Sequence, residues 1–209
     1  MSGEFFEEPK VSGKPIILIA GPEGTGKTHF AATFPDPLVF LDTEGRAGRV
    51  LKKFKKRIYY KKVTGWNEIR QAAKILPELQ AQTFIIDSAS DLRQWADKSW
   101  LADKRAEKVH PIHHWTFVNQ MLDGFLTFLQ KLDVYVVLTA RMKREYVDDR
   151  FTGRMVSDIY HKYPYKADIV LEFKGEEEGY IVRKSAFDEN HVGMGFQWPE
   201  WKDITSLIR

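Results

Sequence analysis

The sequence predicts an α/β fold: a mainly parallel central sheet with helices on both faces. Three observations predict it. Apolar, β-branched runs of strand length alternate with stretches of helical period along the 209 residues, the pattern of a sheet covered on both sides. A glycine-rich phosphate-binding motif directly follows the first of those runs. Two further apolar runs end in acids, and strand carboxyl ends are where open α/β sheets collect their ligands.

The first strand is expected over 15–20, in Pro15-Ile16-Ile17-Leu18-Ile19-Ala20. Gly21, Pro22, Glu23, Gly24, Thr25, Gly26, Lys27 and Thr28 then complete a G-x-x-x-x-G-K-[ST] loop. Its glycines let the backbone curl so that N–H groups face an anion, and helix-forming His29-Phe30-Ala31-Ala32 adds the positive end of a dipole. These eight loop residues are the candidate nucleotide-binding set. Lys27 is suited to reach the β- and γ-phosphates as a point charge, and the Thr28 hydroxyl to bind Mg²⁺.

The second strand, over 38–42, runs into Asp42-Thr43-Glu44-Gly45. Glu44 there is placed to polarise a water toward a γ-phosphate, with Asp42 as a supporting acid; a polar turn closing a strand fits the same residues equally. A basic run follows, Lys52, Lys53, Lys55, Lys56, Arg57, Lys61 and Lys62 around Phe54, Tyr59 and Tyr60. It reads as a solvated helix leading into an edge strand, over 57–63, that its lysines protect from pairing.

Trp66, Ile69, Ala73 and Leu76 mark a helix bounded by Pro77. The next strand, over 83–87, is Thr83-Phe84-Ile85-Ile86-Asp87, an apolar run ending in an acid as a Walker B element does. Asp87 is the candidate magnesium-side carboxylate. Its competing role is a helix cap, since Ser88 and Asp91 stand at capping-box spacing.

His110, His113 and His114 lack an added carboxylate or an HExxH pattern, so they read as helix-entry polarity rather than a zinc site. Trp115, Val118, Leu122, Phe125, Leu129 and Leu132 form a longer helical stripe, expected in the core. A strand over 134–140 precedes Arg141 to Lys166, a loop or hairpin with a turn signal at Thr152-Gly153. Strands over 168–173 and 179–184 complete the sheet.

Totals set limits. With 32 basic and 29 acidic residues the net charge is +3, too mild to establish a nucleic-acid partner. There is no cysteine, which excludes disulfides, thiolate metal sites and cysteine nucleophiles. No apolar run approaches the roughly 20 residues of a membrane helix, so a soluble, cytoplasmic protein is expected. Residues 1–13 read as a flexible tail and 14–209 as a single domain.

The phosphate loop, the strand ending Leu41-Asp42-Thr43-Glu44-Gly45, the helix start Gly65-Trp66-Asn67-Glu68-Ile69 and the strand Phe84-Ile85-Ile86-Asp87-Ser88 occur in an order that resembles the RecA-like P-loop ATPases of phages and archaeal viruses. That group includes RadA-like proteins linked to single-strand annealing and recombination. The resemblance spans about residues 14–185. It implies an ATPase using ATP and Mg²⁺, with Lys27, Glu44 and Asp87 catalytic, Glu44 activating water and Thr28 and Asp87 on the metal.

It further implies a phosphate sensor after the strand ending at Ala140, where Thr139 and Arg141 stand in place of that family's common amide. Arg183 and Lys184 match the place of an intersubunit finger in RecA-like assemblies, though ordinary surface charge fits them at least equally; a homo-oligomer is expected. Lys143, Arg144, Arg150 and Arg154, interleaved with Tyr146, Phe151, Tyr160, Tyr163 and Tyr165, follow the sensor strand where RecA-like proteins place DNA loops. Cations there suit phosphates, and rings suit unpaired bases; a solvated hairpin with its aromatics packed on the body fits equally.

The leading expectation is a Mg²⁺-dependent ATPase acting on or with single-stranded DNA, in a cell that a virus has infected where the resemblance extends so far. Two alternatives stay open at this point. One is a nucleotide or small-molecule kinase, since Gly21-Pro22-Glu23-Gly24 also resembles the start of nucleotide kinases. The other is a nucleotide-responsive interaction module that does not hydrolyse.

Overall fold

Strands buried on both faces need uninterrupted apolar sequence, and the runs with that character fill the middle of the sheet. The structure is a computed structural model that describes residues 13–103, 106–175 and 177–208. Apart from Gly13, the expected N-terminal tail lies outside the described residues.

The elements in chain order are β1 (Ile16–Ala20), α1 (Lys27–Ala32), β2 (Leu38–Asp42), α2 (Gly48–Leu51), β3 (Ile58–Lys62), α3 (Trp66–Lys74), β4 (Thr83–Asp87) and α4 (Leu92–Leu101). There follow α5 (His114–Leu129), β5 (Tyr135–Ala140), β6 (Met142–Val147), β7 (Arg150–Ser157), α6 (Lys162–Lys166), β8 (Ile169–Gly175), β9 (Gly179–Ser185), β10 (Gly195–Phe196) and α7 (Trp201–Leu207).

Among the described residues, eight strands form one sheet in the order β10-β9-β8-β1-β5-β4-β2-β3. From β8 to β3 all neighbours are parallel, and β9 and β10 extend the β8 edge antiparallel. The mainly parallel sheet with helices on both faces is therefore present.

Alternate residues of each central strand serve opposite layers. Leu18, Leu41, Ile86 and Leu138 pack with Trp66, Ile69, Leu92, Leu122 and Phe125 of α3, α4 and α5. Ile19, Phe40, Ile85 and Val137 pack with Phe30, Ala31, Leu51, Ile204 and Leu207 of α1, α2 and α7.

Parallel register brings Asp42 opposite Asp87 and sets Ala20, which leads into the phosphate loop, level with Ala140. Four loops of chemical interest thus share one edge of the sheet.

Local expectations fare differently. The basic run is not a solvated helix: α2 ends at Leu51, and Lys56 turns inward to donate to the carbonyls of Ala32, Thr33 and Phe34 at 3.1, 2.6 and 2.6 Å. Those are the free acceptors at the end of α1, which a cation suits. β3 is the edge strand, with Tyr60, Lys61 and Lys62 exposed on it. Trp115 is not in the core. It begins α5 on the solvent side, with the Arg93 guanidinium 4.6 Å above its ring.

Arg141 to Lys166 resolves into the ribbon β6–β7, a separate two-stranded sheet, followed by α6. Its turn is Asp148-Asp149, both at positive φ (49° and 60°), as a two-residue hairpin with strands of natural twist requires. Thr152-Gly153 lies instead inside β7, where the register shifts between Arg144 and Tyr146; the glycine signal marks a bulge. Tyr160 and Tyr163, grouped with the ribbon by sequence, are buried in the α3–α5 layer.

Lys56→Ala should lower stability by about 1–2 kcal/mol by stripping charged donors from the end of α1, and Lys56→Arg should recover part of it. The midpoint of urea unfolding measures both.

Candidate functional site

A cleft of about 570 Å³ opens at the carboxyl edge, lined by the phosphate loop together with Asp42, Glu44, Asp87 and Arg141. A larger groove of about 800 Å³ between α3, α4 and α5 has neither a phosphate loop nor a strand-end acid in its lining. The candidate site is therefore the smaller one.

The loop owes its shape to Gly24 and Gly26, both at φ 84°, a region L side chains avoid. Lys27 folds back across it, its ammonium donating to the carbonyls of Gly21 at 2.8 Å and Pro22 at 2.6 Å. Burial lowers the Lys27 pKa, opposed by the charges of Asp87, Glu44 and Glu23. An arriving anion strengthens that opposition. Since α1 has only six residues, the attraction for an anion rests on the loop and Lys27 more than on a helix dipole.

Asp87 is buried and shared between three elements. Thr28 Oγ1, on α1, donates to its Oδ2 at 2.7 Å, and Thr139 Oγ1, on β5, donates to its Oδ1 at 2.5 Å. Burial raises its pKa, and these two hydroxyls pull in the opposite direction. The capping alternative falls to its neighbours: Ser88 accepts from Ser90 N–H at the turn before α4, while the Asp91 carboxylate accepts from Thr43 Oγ1 at 2.9 Å and Arg141 at 2.6 Å.

Thr28 and Asp87 present converging hard oxygens, a donor set that fits a magnesium ion keeping several waters. Among the described residues no group of three or more His, Asp or Glu side chains is arranged to hold a metal. Of the three histidines around Pro111, His114 has Nε2 2.5 Å from Asp97 Oδ1.

The two acids at the end of β2 divide the work. Asp42 is buried, and its carboxylate accepts from the N–H of Glu44 (3.1 Å), Gly45 (2.6 Å) and Ala47 (2.9 Å) and from the Tyr60 hydroxyl (2.8 Å). Burial, then the bond to Asp42, push the Tyr60 hydroxyl up to about 12, so it stays the donor. Asp42 shapes the turn, and Glu44 lines the cleft with Arg141 Nη1 3.7 Å away. Thr43 stitches the turn to β4, accepting from Ser88 N–H at 2.8 Å and donating its own N–H to the Asp87 carbonyl at 2.7 Å.

Of the sensor pair, Arg141 lines the cleft while Thr139 is buried behind Asp87 with its hydroxyl committed to it. Of the finger pair, Lys184 donates to the carbonyls of Tyr165 and Ala167, the latter at 2.5 Å, and Arg183 pairs with Glu172 at 2.9 Å. Neither is presented as an unpaired cation to a neighbour. Glu23 pairs with Arg46 at 2.6 Å, both side chains largely exposed, at the mouth of the cleft rather than within the loop's grip.

The sequence reading missed Asp91, which anchors Arg141, and Tyr180, whose hydroxyl lies 2.9 Å from Thr25 Oγ1. A capping-box spacing was the one local signal for Asp91. Tyr180 had none, being 155 residues from its partner.

Most of the ribbon is exposed, its base packing on the body through Met142. Tyr146 and Phe151 pack on each other, 5.9 Å apart, and the Arg144 guanidinium lies 5.6 Å from the Phe151 ring. Lys143 pairs with Asp158 at 3.1 Å.

Asp42→Ala is expected to destabilise the protein by about 2–4 kcal/mol because it orphans the donors of the β2 turn. Glu44→Gln should change stability by less than about 0.5 kcal/mol. Chemical denaturation of the two variants tests the division of labour.

A family model described as an AAA domain matches residues 14–196. Among solved structures, the chain is similar to a KaiC-like protein from the hyperthermophilic archaeon Pyrococcus horikoshii OT3, with a TM-score of 0.51 and 19% identity, covering 87% of this chain and 83% of that one. At that identity the likeness is one of fold, a RecA-like P-loop arrangement. No curated protein matches the sequence.

Proposed function

The chain belongs to the AAA domain family, and from that premise we propose that it is a Mg²⁺-dependent ATPase whose turnover is coupled to single-stranded DNA on the β6–β7 ribbon. One observation carries the hydrolytic reading. The loop ammonium, the Thr28–Asp87 oxygen pair and the Glu44 carboxylate line a single cleft, and these are the parts that phosphoryl transfer to water needs.

Each residue then has a task. Lys27 exchanges its loop carbonyls for β- and γ-phosphate oxygens. Thr28 and Asp87 would hold Mg²⁺, which when bound neutralises charge building on the phosphates. Glu44 orients a water for in-line attack on the γ-phosphorus and takes its proton as the bond to the β-bridging oxygen breaks, releasing ADP and phosphate. Arg141, held by Asp91 at 2.6 Å, brings positive charge to the same space.

Support for the DNA reading comes from the ribbon's exposed face. Arg144, Tyr146, Phe151 and Met155 lie together there rather than against the body, which suits stacking on unpaired bases. Lys143, Arg150 and Arg154 add cations along both strands, while the turn itself is acidic at Asp148 and Asp149. The reading therefore puts nucleic acid along the strands and not at the tip. Arg141 is the root of this ribbon, its carbonyl accepting from Asp158 N–H at 2.6 Å, so strand contacts have a direct path to the cleft.

Lys27→Ala should abolish phosphate release. Glu44→Gln should retain ATP binding and slow turnover by roughly 10²–10⁴-fold; equal loss of binding would contradict its assigned role.

Single-stranded DNA is expected to stimulate phosphate release in the wild type, with affinity falling steeply as salt rises. A double Arg144→Ala, Arg154→Ala variant should show a shallower salt slope. A flat salt response in the wild type would remove the DNA half of the proposal.

A further inference from the structure

On the β8–β9 side of β1, a second recess of about 390 Å³ lies against the phosphate loop, walled by His29, Phe30, Tyr180, Trp198, Pro199 and Glu200. Gly26 and His29 line both this recess and the cleft. The two meet across the start of α1, so a ligand whose anionic end lies on Lys27 has room to continue into the second.

The recess is apolar where the cleft is charged, and its most prominent wall is Trp198. That side chain is 78% exposed. Exposure of one large apolar residue needs no explanation by itself; the way this one is held does. Phe196 pairs with Tyr180 in the β10–β9 ladder, and Trp201 N–H donates to Thr33 Oγ1 at 2.8 Å, just past α1.

The Trp201 ring packs on Tyr135 and Phe34, with centroids 4.5 and 4.9 Å apart. The intervening residues 197–200 are therefore tied at both ends. They hold the indole against the loop, where a Cβ added at Gly26 would sit 3.6 Å from Trp198 Cζ3.

A nucleoside triphosphate asks for this sequence of surfaces: an anion cradle, then a flat aromatic face one nucleotide's reach away. We propose that Trp198 is the stacking platform for the base of the nucleotide whose phosphates the loop holds. Phe30 and Pro199 complete an apolar slot around that base. The assignment rests on the nucleotide reading above and adds to it the subsite that separates a nucleotide from bare polyphosphate. Stacking reads a π-face rather than an edge pattern, so the platform serves adenine and guanine alike.

The test compares MgATP with magnesium tripolyphosphate, titrated by calorimetry into the full chain and its Trp198→Ala and Trp198→Phe variants. In Trp198→Ala the Kd for ATP should rise roughly tenfold. It should stay within about twofold of wild type in Trp198→Phe, and the Kd for tripolyphosphate should be unchanged in both. Unaltered ATP binding by Trp198→Ala overturns the proposal, as does an equal loss for both ligands, which would make Trp198 a support of the loop. Wild type that holds tripolyphosphate as tightly as ATP overturns the base subsite alone. Wild type that binds neither ligand overturns the nucleotide reading with it.

Discussion

Asp87 has its carboxylate in a place where a charge is expensive, and the site is organised around satisfying it. An isolated buried carboxylate would take up a proton or pull in water. Here Thr28 comes from the helix after the phosphate loop and Thr139 from the neighbouring strand, and each gives a hydroxyl to a different oxygen. The two bonds fix where α1 begins relative to β4 and β5. They also hold Thr28 and Asp87 together on the side that faces the cleft. Loss of either hydroxyl would leave one oxygen in poor surroundings, and loss of the Thr28 bond would also free the helix that carries Lys27 from β4.

The same economy governs the next loop, with the opposite result. Asp42 has its acceptors so fully used by the β2 turn and Tyr60 that it has little left for a substrate. Glu44, two residues on, faces the cleft, its carboxylate in a long ion pair with Arg141. One acid builds the turn and the other lines the cleft. The sequence reading of this turn held two alternatives, a catalytic end and a polar strand closure. In the structure Asp42 is taken up by the turn, and Glu44 lines the cleft.

Much of the fold was legible because its sheet is buried on both faces. Runs such as Ile16-Ile17-Leu18-Ile19 have no other stable use, and the phosphate loop has a spacing that local backbone geometry dictates. What failed to show was whatever depends on distant partners. Lysines read as solvated, yet Lys56 found three carbonyls more than twenty residues away. Tyr160 and Tyr163 looked like companions of the ribbon, but they pack under α5 because the chain turns back into α6 just after it. Thr139 fitted a sensor by position alone; only the fold reveals that its hydroxyl points at a buried acid. Trp198 sat too far along the chain for any periodicity to connect it with Gly26.

Arg141 joins the charged cleft to the exposed ribbon, and this placement limits how they can communicate. Its backbone closes the base of β6–β7, and its guanidinium bridges toward Glu44 while anchored on Asp91. Asp91 in turn accepts from Thr43, the residue that stitches the Glu44 turn to β4. A shift of the ribbon therefore cannot pass to Glu44 through the sheet core, which is close-packed and resists small displacements. On the proposed coupling it would pass through this polar chain at the cleft rim, where Arg141 and Glu44 are both substantially exposed and can exchange partners at little cost. On the proposed reading such coupling would be tunable by single side chains at the cleft rim and would leave the buried Asp87 bonds undisturbed, so the residues assigned to the metal could stay fixed while Glu44 responds.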